Sequence, residues 1–200
     1  MTNEKQVKRE KNKIAVKTKK SEVVISMPRG VTASMHEGNM TIKGPKGEII
    51  KKILDPKIRL VVNNGIITIN PTNSDKFTQM NKKVMGTFKA HINNMVRGVQ
   101  GGYVYELKVC SGHFPMNVSY GNGVLSVKNF LGEKVPRTLK TKPGVKVKVE
   151  GDKITLEGCD KEAVGQTSAD IEQLTRITDK DRRIFQDGIY ITKKGVKEVK

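Results

Sequence analysis

The chain has 200 residues, room for one domain or two small ones, and its 36% apolar residues and 19 glycines suit a packed core rather than a disordered chain. Its 38 lysines and arginines against 20 acids give a formal charge of +18, an excess that points to a polyanionic partner, nucleic acid or an anionic surface. Two cysteines, Cys110 and Cys159, exclude a disulfide scaffold and fit a reducing compartment; without an 18-residue apolar run or an apolar segment in the opening MTNEKQVKREKNK, neither a spanning helix nor a secretory signal is expected.

Residues 1–21 read as a basic N-terminal extension, too poor in apolar groups to fold alone. A first domain over 22–98 opens with short β-branched runs at 23–27, 31–35, 39–43, 48–54, 58–62 and 66–70, separated by the turn signals Pro28-Arg29-Gly30, Glu37-Gly38-Asn39 and Asn63-Asn64-Gly65. A helix is predicted from Ser74 to Gly98, with Asn73 or Ser74 as cap and Gly98 as stop; Phe77, Met80, Val84, Phe88, Ile92 and Met95 form its apolar face.

A second domain over 99–176 repeats this plan, with strands at 103–110, 115–120, 123–128, 134–140, 145–149 and 153–157 and a helix from Asp160 to about Arg176 carrying Val164, Ile171 and Leu174. At an offset of 85, Gly38, Ile42, Lys43, Gly47 and Glu48 fall on Gly123, Val127, Lys128, Gly132 and Glu133. At 87, Ile67, Thr68 and Ile69 fall on Ile154, Thr155 and Leu156. The fold class is α+β: two tandem duplicated domains, each an antiparallel sheet packed against one helix. Residues 177–200 read as a charged C-terminal extension.

Chemistry-bearing patterns are absent. No glycine cluster has phosphate-loop or dinucleotide-loop spacing between a strand and a helix. His36, His91 and His113 are scattered, and Cys110-x2-His113 is a single pair where structural zinc needs four ligands. Asp179-x-Asp181 begins like a calcium loop, but Ile184 and Tyr190 stand where its glycine and glutamate belong. With no Gly-x-Ser-x-Gly elbow either, no enzyme, catalytic residue, metal, cofactor or small-molecule substrate is expected.

The densest basic stretch is SVKNFLGEKVPRTLKTKPGVKVK at 126–148, where Lys128, Lys134, Arg137, Lys140, Lys142, Lys146 and Lys148 face one acid, Glu133. Strands and tight turns should hold these cations in place, with Lys146 and Lys148 on one sheet face and Val145, Val147 and Val149 turned to the core. A chain without Trp, with four Tyr and five Phe, is poorly equipped to stack single-stranded bases, and no helix has the dense basic face that enters a DNA major groove. Structured RNA is the best fit.

The stretch SVKNFLGEKVPR resembles the Asn-Phe-Leu-Gly-Glu-Lys signature of the large-subunit ribosomal protein six family, in its archaeal and eukaryotic branch. TIKGPKG at 41–47, NMVRGV at 94–99, HFPMNV at 113–118, KPGV at 142–145 and DKDRRIFQDGIYI at 179–191 occur in family order, so the likeness spans about 22–195. It implies a non-catalytic structural constituent of the large ribosomal subunit. It also implies binding to rRNA near the sarcin-ricin loop, with neighbouring ribosomal proteins in contact and translational GTPases docking nearby. Cytoplasmic ribosomes are the expected location, with nucleolar assembly in a eukaryote. The family's RNA-gripping turn falls on Asn129, Phe130, Leu131, Gly132, Glu133, Lys134 and Arg137, flanked by Lys128, Lys140 and Lys142, and its C-terminal extension on Lys180, Arg182, Arg183 and Lys193. SDKFTQMNKK departs from the Trp and Asn-Arg-Lys run common at the first helix of eukaryotic members, which leaves any contact there open. The stretch KQVKREKNKIAVKTKK is an extra RNA-binding arm or an import or solubility tail. The alternative function is a non-ribosomal basic module for other polyanions, such as a membrane surface or polyphosphate.

Overall fold

The duplication legible in the sequence is a duplication in space. In a computed structural model, residues 16–19, 22–53, 55–63, 65–72 and 78–196 are described. Two compact units, Met1–Gln100 and Gly101–Lys200, divide the chain.

In the first unit, β1 (Val16–Lys19), β2 (Glu22–Ser26), β6 (Ile58–Asn63) and β7 (Ile66–Pro71) form an antiparallel sheet in the order β1-β2-β7-β6. Strands β3 (Thr32–His36), β4 (Asn39–Gly44) and β5 (Gly47–Lys52) form a second, in the order β3-β4-β5. Helix α1 (Gln79–Gly101) follows. The second unit has β8 (Tyr103–Cys110), β12 (Lys146–Glu150), β13 (Lys153–Gly158) and β14 (Gly188–Val196) in the order β12-β13-β8-β14, and β9 (Asn117–Gly121), β10 (Val124–Lys128) and β11 (Arg137–Lys140) in the order β11-β10-β9. Helix α2 (Lys161–Leu174) completes it. The chain is thus α+β, with two sheet-plus-helix units.

Equivalent positions use equivalent physics. The turns Glu37-Gly38 and Asn122-Gly123 are left-handed at both residues, with φ of 48° and 78° in one and 51° and 76° in the other, the two-residue turn whose twist matches paired strands. Ile67 and Ile69 on β7 and Ile154 and Leu156 on β13 are all fully buried. The fourth strand of each large sheet comes from outside the repeat: β1 arrives from the N-terminal side and β14 from the C-terminal side, each on the strand opening its unit. Lys17 and Lys19 of β1 belong to the sequence's basic extension, whose residues 1–15 lie outside the described ones. Residues 177–200, read from sequence as an extension, likewise supply β14. Its core-facing Ile189 is obscured by a following run of lysines and by a register shift between Ile191 and Lys193.

Helix α1 differs from its expected bounds at both ends. Thr78 accepts the Asn81 N–H on its hydroxyl, at 3.3 Å, in the manner of a cap, and the helix runs through Gly98 to Gly101. Gly102, with φ 80°, takes the left-handed stop assigned to Gly98. The expected caps Asn73 and Ser74, and Phe77, lie outside the described residues. Met80 is 52% exposed rather than buried, while Met85, Ile92, Met95, Val96 and Val99 form the buried stripe. Helix α2 starts as expected, Asp160 accepting the Glu162 N–H at 2.9 Å, and packs Val164 and Ile171 on the core built by Tyr105, Leu107, Leu125, Ile154 and Leu156.

Candidate nucleic-acid interface

The register of β9, β10 and β11 sorts their side chains into two faces. Val118, Tyr120, Leu125, Val127, Arg137 and Leu139 turn inward, and Asn117, Ser119, Val124, Ser126, Lys128, Thr138 and Lys140 turn outward. The outward face has no acid. Lys128 and Lys140 stand at opposite ends of it, about 13 Å apart by strand rise, with hydroxyl and amide groups between them. Lys142 follows directly, in a segment held by the Thr141 N–H and hydroxyl, which donate to the Gly123 carbonyl at 2.9 and 3.0 Å.

The equivalent sheet of the first unit is built otherwise. Thr32, Ser34, His36, Asn39, Thr41, Lys43, Glu48, Ile50 and Lys52 face outward, Lys43 is paired with Glu48 at 3.2 Å, and Ile50 stands exposed in the middle. A polyanion meets neutralised charge and an apolar side chain there, so the two copies of the hairpin sheet are not equivalent as anion surfaces.

Between β10 and β11 lies the turn 129–136. Asn129 and Leu131 are left-handed (φ, ψ of 58°, 34° and 49°, 31°), a conformation costing a non-glycine residue roughly 1–2 kcal/mol, and Gly132 follows at φ 83°. Side chains over-determine this path. Phe130 is 1% exposed, in the core; the Asn129 amide donates to the Pro115 carbonyl at 3.0 Å; Leu131 packs on the core's edge. Arg137 closes the turn: Nε and Nη2 donate to the two Glu133 carboxylate oxygens at 2.8 and 2.5 Å, Nη1 donates to the Leu174 carbonyl at 2.7 Å, and the guanidinium lies 4.4 Å from the centre of the Phe130 ring. These hydrogen bonds hold the Glu133 carboxyl below the usual carboxylate range. Phe130 and Arg137, both placed by sequence in the gripping turn, therefore hold it from inside, while Lys128, Asn129, Gly132, Lys134, Lys140 and Lys142 are exposed.

The other expected cations are not gathered on this face. Lys146 and Lys148 do point outward with the valines behind them, as predicted, but Lys146 is registered with Glu157 and Lys148 pairs with Glu150 at 2.5 Å. On the same sheet Lys153 and Lys193 lie 3.1 and 3.9 Å from Glu106. This face interleaves both signs instead of being uniformly basic, because Glu157 and Glu106 become cross-strand neighbours of the lysines and Glu150, two residues after Lys148 on the same strand, shares its face. Lys180 sits over the Phe185 ring at 4.8 Å, Arg183 forks onto Asp181, and Arg182 is exposed.

Sequence reasoning missed Asp187. It is 2% exposed and gathers three donors from the loop after β8: the Gly112 and His113 N–H groups on Oδ1, at 2.5 and 3.0 Å, and His113 Nδ1 on Oδ2, at 2.6 Å. Burial alone would push its carboxyl up, but the His113 and Gly112 N–H groups and the imidazole outweigh it, and the net shift is downward.

A family model described as ribosomal protein L6 matches residues 27–102 and again 114–188, one match per unit. The chain belongs to the ribosomal protein L6 family. Proteins named large ribosomal subunit protein uL6 are similar to it: that of Natronomonas pharaonis is 42% identical over 168 residues, 84% of this chain and 93% of the relative. The Methanobrevibacter smithii protein is 43% identical, covering 85% of this chain and 94% of its own, and the Haloarcula marismortui protein 41%, covering 86% and 95%. These are ribosomal proteins and not enzymes, in line with the absence of catalytic motifs from the sequence. The double family match also follows the duplication, falling once on each sheet-plus-helix unit.

Proposed function

We propose that this protein is a structural constituent of the large ribosomal subunit in the cytoplasm, bound to large-subunit rRNA near the sarcin-ricin loop and the site where translational GTPases dock, among neighbouring ribosomal proteins. The observation carrying this reading is the acid-free outer face of β9-β10-β11 with its preorganised turn, in a chain of +18 charge belonging to a ribosomal family. Lys128, Lys134, Lys140 and Lys142 contact phosphates, and Asn129, Ser126 and Thr138 supply hydrogen bonds to phosphate and 2′-hydroxyl groups. Lys180 and Arg182 extend the contact from the segment preceding β14, and the mixed-charge face bearing Lys193 contributes less. Family membership favours RNA over the membrane surface or polyphosphate that charge alone would equally allow. Sedimentation tests the reading: one copy of the chain per salt-washed large subunit is expected, and its absence from those subunits overturns it.

A further inference from the structure

The lone acid of the basic turn poses a problem for an RNA-gripping surface, because Glu133 stands between Lys128 and Lys134 and should repel phosphates. Its geometry gives it another task. Three nitrogens of the Arg137 guanidinium are engaged inside the protein, two on Glu133 and one on the Leu174 carbonyl at the end of α2, and its plane rests on the buried Phe130 ring. The fork that would hold a phosphate is already closed on a carboxylate.

The first unit shows what the hairpin looks like without this device. There Gly44 pairs directly with Gly47, so β4 and β5 are joined by the two residues Pro45 and Lys46. Glu48, which the repeat aligns with Glu133, pairs with Lys43 instead. The eight-residue connection at 129–136, with two left-handed non-glycine residues, occurs in the second unit together with the Glu133–Arg137 pair.

We propose that Glu133 and Arg137 form a positioning clamp that holds the turn 129–136 in its RNA-binding shape by tying it to the end of α2, and that Arg137 itself contacts no phosphate. The proposal rests on the RNA-binding reading above. It makes the acid a favourable component of a surface whose partner is an anion, and it makes the α2 end part of the site's support.

The test measures affinity for protein-free large-subunit rRNA against salt concentration, together with hydrogen exchange of the 129–136 amides in the free protein. The clamp predicts that E133Q, although it removes a negative charge, weakens binding about five- to tenfold, because the competent turn is populated less. R137K and R137Q should weaken it similarly, with the slope of log affinity on log salt unchanged. All three should speed exchange across the turn while β8 and β13 amides stay protected. If E133Q tightens or does not change binding, the clamp is overturned; if R137Q alone lowers the slope by about 0.7–0.9 while R137K preserves it, Arg137 is a phosphate ligand and the clamp is overturned as well. Absence of salt-sensitive binding by the unsubstituted protein would instead refute the RNA-binding reading. In that case faster turn exchange in E133Q and R137Q would still establish the clamp, and unchanged exchange would refute it.

Discussion

Asp187 ties His113 to the strand that follows it: its buried carboxylate accepts the imidazole Nδ1 at 2.6 Å and the backbone N–H groups of Gly112 and His113, 75 and 74 residues away in sequence. The contact joins the end of β8 to the start of β14, and His113 also lies against Phe185, with ring centres 4.6 Å apart. Because Asp187's folded pKa is depressed, its stabilisation is present above the unfolded value near 3.9 and is lost as pH falls through the folded one. Urea midpoints should therefore drop below about pH 4 more steeply for the wild type than for Asp187→Asn. At pH 7 that variant should be about 2 kcal/mol less stable, since buried donors lose a charged acceptor. Equal stability of the two proteins at pH 7 would remove Asp187 from the structural core.

Two glycines should respond to alanine with opposite signs. A Cβ on Gly44 would lie 2.7 Å from Val99 Cγ2 and 2.9 Å from the Val99 carbonyl, so the β4–β5 hairpin and α1 would be forced apart. Gly44→Ala is expected to destabilise by about 1–3 kcal/mol. Gly86 sits on the exposed side of α1 with nothing within 4 Å of such a Cβ, and Gly86→Ala should stabilise by about 1 kcal/mol, the helix-propensity difference. Thermal melting of the two variants checks both signs at once.

Strand β14 can be weighed through two isoleucines near each other in sequence. Ile189 is fully buried against the second core, and its N–H donates to the Thr175 hydroxyl at 2.9 Å; Ile184 is exposed. Ile189→Ala should cost about 2–5 kcal/mol, and Ile184→Ala no more than about 0.5 kcal/mol. A small loss at Ile189, measured by chemical denaturation, would mean that β14 is a tail laid on the sheet and not a part of it.

How far these features could be read beforehand depends on their range in sequence. The turn at Glu37-Gly38, the alternation in β12 and the start of α2 at Asp160 are local patterns, and each is found where its residues predicted it. The placement of Met85 rather than Met80 in the buried stripe depended on how α1 is rotated about its axis, which periodicity with two closely spaced methionines does not decide. β14 was hidden because Tyr190, Lys193 and Lys194 face solvent and a register shift breaks its alternation. At the candidate interface the cation-rich hairpin was legible as composition. The neutralisation of Lys148 by Glu150 follows from the alternation of β12 itself, but the pairing of Lys153 with Glu106 required strand register, and the role of Arg137 required a backbone carbonyl at Leu174, which carries no residue signature.

The outer face of β9-β10-β11 is tested most directly by the salt dependence of rRNA affinity for the unsubstituted protein and for the triple variant Lys128→Ala, Lys140→Ala, Lys142→Ala. With six to ten phosphates contacted, wild-type affinity should fall by about 10³ to 10⁵ between 50 and 200 mM salt. The triple variant's slope should be shallower by about 2 to 3, one step of 0.7–0.9 per lysine lost. A triple variant that keeps the wild-type slope would show that the RNA lies on another face of the protein.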